Sequence, residues 1–398
     1  MLRASQELSS VASALVRVVV RVAFTIDSLK LGGAERVLLQ WASWCREEGW
    51  SVLIVTRQAS ELDAYPLPEG IERLVEPTLS QRLSWLGWFA FPFRVFALRQ
   101  LLCRHRIDLA VGVTTLPAVK LLLATVGLSI RTVVSERNYP PAKSVSLPWR
   151  WLRRTTYPWA DLHLIQTKQT GSWLRHHCAV QRQLLLPNSV TWPLPDRVPV
   201  LEPDAYIAPE HPLILAAGTK AHQKGFDRLM PVFAELGHCD PDLYLALLGL
   251  APGDYHGRDQ QSWLRKLLGP DSGLQARLLM PGVSGSMARW YARATVFVLP
   301  SRFEGFPNVL LEAMAAGCAC IASDCLTGPA DLILHGENGL LLSPQATSDD
   351  WGAAIAGLLA DPEQCLRLGE RAARVRERYD AARLRGEFLD ALLRLRHG

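Results

Sequence analysis

The 398-residue chain carries 43 Lys and Arg against 38 Asp and Glu, and 49% of its residues are hydrophobic while 20% are charged. This composition excludes an intrinsically disordered protein, and the length is too great for one ordinary core, so we expect two or three folded domains. The first 190 residues carry 23 basic against 13 acidic side chains, whereas the rest carry 20 against 25. A basic half joined to an acidic half suggests that one domain faces an anionic ligand or surface.

Several other protein classes are disfavoured by the sequence. No zinc-finger, RRM-like or basic-zipper pattern accompanies the positive charge, so we expect no nucleic-acid partner. The most apolar stretch, residues 11–26, is interrupted by Arg17 and Arg21 and is shorter than the roughly 18 apolar residues of a membrane span. The cysteines of residues 318–325 fit no common zinc spacing, which favours reduced thiols in an apolar core over a metal site.

Apolar runs typical of strands alternate with helical patterns along the chain, which predicts an α/β protein with parallel sheets. After an N-terminal extension of residues 1–17, the first half is expected to contain five strands, at residues 18–26, 51–56, 109–113, 132–135 and 162–166. The first strand leads through a turn at Gly32 and Gly33 into a helix that continues to Glu48, which is the beginning of a βαβ unit.

A proline-rich stretch at residues 187–212 is the best candidate for a linker between two domains. Beyond it the alternation resumes, with strands expected at residues 213–217, 244–248, 296–299, 320–323 and 339–342. The domains are therefore expected at residues 18–195 and 196–380, and a last helix, at about residues 381–398, could pack back on the first domain. Ligands of such sheets bind beyond the carboxyl ends of the strands, here in the cleft between the domains.

Two carboxylates, Glu304 and Glu312, lie eight residues apart around the expected start of a helix. Pro307 at this start would leave the next backbone amides without intrahelical partners, which suits a phosphate or diphosphate. These amides belong to Asn308, Val309 and Leu310. A buried amphipathic helix with Glu312 on its wet face would give the same pattern, so the neighbouring motifs decide between the two interpretations.

Three motifs together resemble the family 4 retaining glycosyltransferases, whose GT-B fold has two doubly wound, Rossmann-like parallel-sheet domains facing a cleft. They are DSLKLGGAERVLLQWA around Gly32 and Gly33, GTKAHQKGFDRLM around Lys224, and SRFEGFPNVLLEAMAAG, which contains the Glu-x7-Glu signature. VSERN at residues 134–138 and LPNSV at residues 186–190 also match common family positions. The resemblance extends from Val18 nearly to the C-terminus.

The resemblance implies a role for each matched residue. Lys224 would contact the donor diphosphate and Glu304 the donor-sugar hydroxyls, and these two are the expected catalytic residues. Glu312 would accept hydrogen bonds from the ribose. The other expected donor-binding residues are Gly32, Gly33, Lys220, Gly305, Phe306, Pro307, Asn308, Val309 and Leu310. We expect no metal or other cofactor, since Lys224 would stabilise the charge that develops on the leaving diphosphate.

Two positions depart from the family pattern. Thr219 stands where the family usually has Arg, so the adjacent Lys220 is the candidate for the second cation, although Lys does not reproduce the bidentate contact of Arg. Thr114 and Thr115 follow the strand at residues 109–113, where many relatives place a His. The polar group after the strand at residues 132–135 is either an ordinary surface group or a contact of the acceptor or donor sugar; it comprises Glu136, Arg137 and Asn138.

The resemblance implies retaining transfer of a hexose or N-acetylhexosamine from a nucleotide sugar, which we expect to be UDP-linked. The acceptor would be a lipid-linked or other glycan in cell-envelope polysaccharide biosynthesis. Aromatic residues interleaved with Arg at residues 85–94 and 149–154 predict contact with an anionic membrane surface, although they could also pack into the core. We therefore expect a cytoplasmic protein on the inner face of the cytoplasmic membrane.

Two other functions are compatible with the motifs. One is a non-catalytic scaffold that binds nucleotide sugars, and the other is a GT-B sugar-nucleotide epimerase. An NAD-dependent dehydrogenase is disfavoured, because the turn at residues 31–36 lacks the G-x-G-x-x-G pattern of dinucleotide-binding domains.

Overall fold

The computed structural model describes residues 19–76, 90–143, 145–250 and 259–397, and its strands form two separate sheets. The first sheet has the order β3-β2-β1-β4-β5-β6-β7, and all neighbouring strands are parallel. Its strands are β1 (Arg21–Ile26), β2 (Ser51–Thr56), β3 (Glu72–Val75), β4 (Leu109–Val113), β5 (Arg131–Ser135), β6 (Leu162–Ile165) and β7 (Gln183–Leu185).

Helices connect the strands of the first sheet, as parallel pairing requires. They are α1 (Gly33–Glu47), α2 (Phe91–Arg104), α3 (Thr115–Thr125), α4 (Leu147–Thr156) and α5 (Lys168–Cys178). Helix α1 buries one apolar face, which includes Leu38 and Trp41, against the sheet. Helix α5 begins at a capped turn, where the Thr167 hydroxyl accepts a hydrogen bond from the Thr170 amide at 3.2 Å.

The second sheet has the order β10-β9-β8-β11-β12-β13 and is also parallel throughout. Its strands are β8 (Leu213–Ala217), β9 (Tyr244–Leu248), β10 (Leu278–Gly282), β11 (Val296–Leu299), β12 (Cys320–Ser323) and β13 (Leu340–Leu342). The helices around it are α6 (Ala221–Lys224), α7 (Phe226–Cys239), α8 (Gln260–Leu268), α9 (Ser272–Arg277), α10 (Met287–Arg293), α11 (Asn308–Ala315), α12 (Pro329–Leu332), α13 (Ser348–Ala360), α14 (Pro362–Ala372) and α15 (Val375–Arg378).

The last helix, α16 (Ala381–His397), lies on the first domain and not on the second. The Phe388 ring stacks on the Trp41 ring with 5.0 Å between centroids, and Arg385 forms an ion pair with Glu47 at 2.6 Å. The chain crosses from one domain to the other near Val190 and crosses back near Tyr379. The two crossings lie side by side, because the Val190 amide donates a hydrogen bond to the Tyr379 carbonyl at 2.9 Å. Helix α16 therefore belongs to the N-terminal domain in space, although it is the last helix in sequence.

Both sheets reverse their strand order once, between β1 and β4 in the first and between β8 and β11 in the second. Such switch points open a crevice at the carboxyl ends of the strands. Residues that follow β1 and β5 contact residues that follow β11, so the two crevices face each other. The prediction of two doubly wound parallel-sheet domains that face a cleft is confirmed.

All eight cysteines are free thiols, and burial raises the pKa of Cys318 to about 12.

Among the residues that the structure describes, no helix combines the length and the apolar character needed to cross a bilayer.

Candidate active site

Lys224 and Glu304 form an ion pair at the switch point of the second sheet. Lys224 ends α6, which follows β8, and Glu304 lies in the loop after β11. The Lys224 Nζ donates to Glu304 Oε1 at 2.7 Å, and the Ser301 hydroxyl donates to the same oxygen at 2.6 Å. Both charged side chains are largely buried, so this carboxylate is held in one place by a cation and a hydroxyl. The sequence motifs predict Lys224 and Glu304 as site residues but not Ser301.

A glycine next to Lys224 allows the loops after β8 and β11 to meet. Gly225 has φ +70°, and a Cβ there would lie 2.1 Å from the Pro300 carbonyl oxygen. Any other residue would be strained by the left-handed backbone and would also collide with that carbonyl. The Gln-Lys-Gly sequence thus places the Lys224 ammonium beside the loop that carries Glu304.

Helix α11 begins where the sequence predicted it, with Pro307 immediately before its first residue. The Leu310 amide donates to the Pro307 carbonyl at 3.0 Å, a tight bond of the kind that often closes a first helical turn. Within the described residues, the amides of Asn308 and Val309 make no such bond. The structure therefore leaves two of the three predicted amides for an anion.

The other expected residues of this loop contribute in different ways. The Phe306 side chain is buried, and its ring packs 5.7 Å from the Tyr379 ring, so only its backbone can face a ligand. Gly305 approaches the other domain: a Cβ there would lie 2.3 Å from the Arg137 carbonyl oxygen. Pro307 packs against Gly328, where a Cβ would lie 2.6 Å from the proline Cδ.

The glycine turn of the N-terminal domain lies opposite the start of α11. A Cβ on Gly33 would be 3.2 Å from the Asn308 side-chain nitrogen, and the Asn188 side chain donates a hydrogen bond to the Asn308 side-chain oxygen. Gly32 has an extended backbone, with φ −173°, which any residue can adopt. Close approach, and not backbone conformation, is therefore what requires a small residue at this turn.

Glu312 is engaged from the opposite domain. Its Oε1 pairs with the Arg36 guanidinium of α1, and its Oε2 accepts a hydrogen bond from the Tyr291 hydroxyl at 3.3 Å. The attraction of Glu312 raises the pKa of Arg36. Burial, followed by the negative charge of Glu312, raises the pKa of Tyr291. The expected ribose-binding carboxylate is thus already paired, and neither partner was singled out from the sequence.

A second cation, Lys220, lies close enough to Lys224 for the two charges to interact. Lys220 precedes α6, and burial together with the nearby charge of Lys143 from the other domain lowers its pKa. Burial raises the pKa of Glu35 on α1, although the charges of Lys220 and Lys143 oppose that rise. Lys220 therefore lies among charged groups of both domains. Its role as the second cation that binds the donor stays a prediction.

The group after β5 is not a surface cluster. Glu136 is buried, and its Oε2 accepts hydrogen bonds from the Thr115 hydroxyl at 2.9 Å and from the Tyr157 hydroxyl at 2.8 Å. Burial raises its pKa. Its contacts lie inside the N-terminal domain, so they do not support the interpretation of Glu136 as a sugar or acceptor contact.

Arg137 and Asn138 instead stand at the boundary between the domains. The buried Arg137 guanidinium lies 5.2 Å from the Trp41 ring centroid and donates a hydrogen bond to Asn188. Burial lowers the pKa of Arg137 to about 9. Asn138 is half-buried, and its Cα would be 3.2 Å from a Cβ on Gly305. These two residues help to hold the loop after β5 against the Glu304 loop.

Near the two carboxylates, Lys224, Lys220 and the start of α11 provide cations and free amides, which are the kinds of group that bind anions in proteins. Among the described residues, no three or more His, Cys, Asp or Glu side chains come together in a group that could hold a metal ion.

Comparison with known proteins gives two family matches. Residues 32–189 match the family described as glycosyl transferase 4-like domain, and residues 202–375 match glycosyl transferases group 1. Exopolysaccharide phosphotransferase SCO2592 of Streptomyces coelicolor is 30% identical over 67% of this chain, but the matched part is only 26% of that protein.

A second relative matches over most of its length. It is the Campylobacter jejuni enzyme named GalNAc-alpha-(1->4)-GalNAc-alpha-(1->3)-diNAcBac-PP-undecaprenol alpha-1,4-N-acetyl-D-galactosaminyltransferase, which is 26% identical over 81% of this chain and 84% of that protein.

Solved structures show the same two-domain fold. Sucrose-phosphate synthase from Thermosynechococcus elongatus superposes with a TM-score of 0.77 at 21% identity, covering 94% of this chain and 99% of that one. Anabaena Alr3699/HepE in complex with UDP superposes with a TM-score of 0.76 at 19% identity, with the same coverage. The fold, the paired family matches and the three motifs lead to one conclusion: the chain belongs to the family 4-like glycosyltransferases with the GT-B fold.

Proposed function

We propose that this glycosyltransferase transfers a hexose or N-acetylhexosamine from a UDP-sugar, with retention of configuration, to a lipid-linked or glycan acceptor in cell-envelope polysaccharide biosynthesis. The observation that carries the proposal is the Lys224–Glu304 pair, whose glutamate lies in the loop before α11, the helix whose start lies opposite the glycine turn of the other domain. The names of the relatives support the acceptor class, because they include an exopolysaccharide enzyme and an enzyme that acts on an undecaprenyl-diphosphate glycan.

The donor class is supported by the arrangement of positive charge. Departure of UDP from the sugar leaves negative charge on the diphosphate, and fixed donors in a dry site stabilise such charge strongly. In the proposed reaction, Lys224, Lys220 and the amides of Asn308 and Val309 stabilise this charge. We propose that they suffice without a metal cofactor. HepE, which shares the fold, has been crystallised with UDP-glucose.

In the proposed reaction, the acceptor hydroxyl attacks the anomeric carbon on the same face from which UDP departs. The bond to the leaving phosphate oxygen breaks as the new glycosidic bond forms, and that oxygen takes the proton of the acceptor hydroxyl. Glu304 orients the donor sugar and does not form a covalent bond with it. The ion pair to Lys224 and the hydrogen bond from Ser301 support this role, because they hold the carboxylate in place.

Exposed side chains on α2 and α4 support contact with a membrane surface, which we propose to be the inner face of the cytoplasmic membrane. The two helices meet where the rings of Phe91 and Trp149 pack edge to face, with 5.0 Å between centroids. The exposed hydrophobic side chains near this contact are Phe93, Phe96, Leu147 and Trp151. Amphipathic surfaces of this kind, flanked by Arg, bind anionic bilayers. Residues 85–89 of the first predicted aromatic stretch lie outside the described residues.

Turnover of a panel of UDP- and GDP-sugars on lipid-linked acceptors tests the proposal. We expect Lys224→Ala and Glu304→Gln to lower kcat by about a hundredfold or more, since each removes a fixed group of the reacting site. Lys266→Ala, which changes an exposed lysine of α8, should leave turnover unchanged. Circular dichroism and thermal unfolding would show that all three variants remain folded.

Four results would contradict the proposal. Full activity in both site variants would reject the site. A sugar covalently attached to Glu304 would reject the single-face mechanism. Binding of UDP-sugars without transfer to any acceptor would indicate a scaffold, and interconversion of the UDP-sugars themselves would indicate an epimerase.

A further inference from the structure

A second group of charged side chains lies in the N-terminal domain, at the carboxyl ends of β1 and β2. Asp27 follows β1 and Arg57 follows β2, and they form two hydrogen bonds, from Arg57 Nε to Oδ1 at 2.6 Å and from Nη2 to Oδ2 at 2.8 Å. Burial opposes ionisation of Asp27, but Arg57, Lys120 of α3 and Arg94 of α2 together lower its pKa. One carboxylate is therefore surrounded by three cations.

Lys120 and Arg94 of this group differ in their counter-charges. Lys120 is buried and pairs with Glu76, the residue after β3, and burial lowers the pKa of Lys120 to about 8. Arg94 forms no ion pair with any described residue, and its buried Nε has no hydrogen-bond partner among them. Burial and the positive charge of Arg57 both lower the pKa of Arg94. Arg94 is partly buried and therefore less hydrated than a surface Arg, so an anion that reached its guanidinium would be stabilised.

This group opens to solvent and continues toward the donor site. The Asp27 and Arg57 side chains are 43% and 39% exposed, so a ligand can reach them. Glu35, whose carboxylate lies against Gly32 of the glycine turn, interacts with charges of both regions: Lys220 and Lys143 oppose the rise of its pKa, and Asp27 adds to it. The acceptor must approach the donor within this cleft, from the side of the N-terminal domain.

We infer that Arg57, Arg94 and Lys120 form a subsite for a phosphate or diphosphate group carried by the acceptor. Arg57 and Arg94 would donate hydrogen bonds to the phosphate oxygens, and Asp27 would hold Arg57 in position. The buried Lys120 would add positive charge to the subsite. Arg is well suited to such contacts, because its planar group donates two parallel hydrogen bonds to one phosphate.

The position of Arg94 also suggests what the phosphate is attached to. The exposed Phe93 and Phe96 lie in the first two turns of the same helix, α2, and give the end of the helix that carries Arg94 an apolar surface. A diphosphate joined to a lipid chain would use both surfaces, whereas a sugar phosphate would use only the cations. This assignment rests on the proposed function, because it identifies the anion as part of the acceptor.

Calorimetric titration with farnesyl diphosphate tests the subsite without knowledge of the natural acceptor. We expect Arg94→Gln to weaken binding about tenfold, which corresponds to the loss of one charged hydrogen bond. Arg104→Gln removes the same charge from an exposed position at the other end of α2 and should bind like the wild type. Lys224→Ala, which changes the donor site, should also retain binding. Pyrophosphate and farnesol serve as competitors that separate the anionic and apolar parts of the probe.

Each outcome has one meaning. Competition by pyrophosphate but not by farnesol supports an anion subsite, and tighter binding of farnesyl diphosphate than of pyrophosphate identifies a lipid-linked source. Unchanged binding in Arg94→Gln, loss of binding only in Lys224→Ala, or no binding by the wild type overturns the inference. Absence of UDP-sugar turnover together with a selective loss in Arg94→Gln would reject the proposed reaction and retain the anion site.

Discussion

His163 is a buried titratable residue of the N-terminal sheet, on the strand next to the edge strand β7. It lies on β6, and its Nε2 is 2.9 Å from the Tyr157 carbonyl oxygen, while the buried Nδ1 has no partner among the described residues. Burial lowers the pKa of His163 to about 4 from its ordinary value of 6.5. The neutral ring, donating to the carbonyl through Nε2, is the form that the folded protein favours.

This shift makes stability depend on pH. Above pH 6.5 neither state holds the extra proton, whereas between 6.5 and about 4 the unfolded chain binds a proton that the folded protein does not. The free energy of unfolding should therefore fall by about 2 to 3 kcal/mol from about pH 7.5 to about pH 4.5 through this residue alone. Urea unfolding of the wild type and His163→Gln at both pH values would measure it.

The expected result is a smaller loss of stability on acidification in His163→Gln than in the wild type. His176→Gln changes an exposed histidine of α5 and serves as the matched control, which should behave like the wild type. An equal loss in His163→Gln and the wild type would mean that the ring takes up its proton in the folded protein at an ordinary pH.

Single residues of the candidate site differ in how far the sequence could identify them. Lys224 and Glu304 belong to motifs with fixed spacing beside strands, so their proximity could be expected. Glu136 could not be assigned, because its partners Thr115 and Tyr157 are 21 residues away on either side and appear only when α3 and α4 pack together. Burial of a polar residue depends on such tertiary contacts, which a single sequence does not reveal.

Helices α1 and α11 are joined across the cleft by the ion pair between Arg36 and Glu312. Glu312 lies in the second turn of α11 and also accepts a hydrogen bond from the Tyr291 hydroxyl. If Glu312 binds ribose hydroxyls, as the family resemblance implies, the nucleotide must compete with Arg36 for the same carboxylate. The contact between the two helices then opposes donor binding.

Replacing Arg36 by Met should therefore strengthen UDP binding. The long apolar side chain retains much of the packing of Arg but leaves Glu312 with only the Tyr291 hydroxyl. Because a partly exposed ion pair contributes up to about 1 kcal/mol, we expect a dissociation constant lower by about fivefold. Isothermal titration with UDP would measure the change.

Arg383→Met is a suitable control, because it breaks an ion pair with Glu387 that lies within α16 and away from the cleft. UDP affinity should not change in this variant. Weaker UDP binding in Arg36→Met would contradict competition and would mean that Arg36 itself contacts the nucleotide.

The interior strands of the two sheets were predictable from the sequence, and the edge strands were less so. Ten expected strands correspond to strands of the structure, because buried parallel strands are continuous apolar runs. The strands that the sequence did not reveal are β3, β7 and β10, and each lies at the edge of its sheet. Edge strands are short and only partly buried, as the sequences ERLV and QLL illustrate, so they lack the apolar signal.

At the scale of the whole molecule, the exposed aromatic residues of α2 and α4 and the cations of the inferred subsite both belong to the N-terminal domain. The exposed surface of α4 includes Trp151 with Arg150 and Arg154. Arg153, in contrast, is buried, and its guanidinium lies 4.7 Å from the Trp173 ring centroid. The sequence pattern does not distinguish the three arginines of this helix, whereas packing directs Arg153 into the domain.

This distribution predicts which side of the enzyme contacts a membrane. We expect the wild type to sediment with vesicles of phosphatidylcholine and phosphatidylglycerol, and less as the salt concentration rises. Trp151→Gln combined with Arg154→Glu should weaken vesicle binding at least about tenfold, since each basic residue near an anionic surface contributes about 1 kcal/mol and the reversal also adds repulsion. Arg153 is unsuitable for this test, because changing a buried residue would disturb the fold.

The C-terminal domain offers a matched pair of changes on α14. Leu366→Gln combined with Arg371→Glu removes one exposed hydrophobic side chain and reverses one exposed charge. If the N-terminal domain faces the bilayer, this variant should bind vesicles like the wild type. Equal loss in both double variants would mean that net charge alone governs adsorption, and no sedimentation of the wild type would exclude direct binding to these lipids. A selective loss in the α4 variant would place the membrane on the side of the molecule that carries α2 and α4, beside the inferred phosphate subsite.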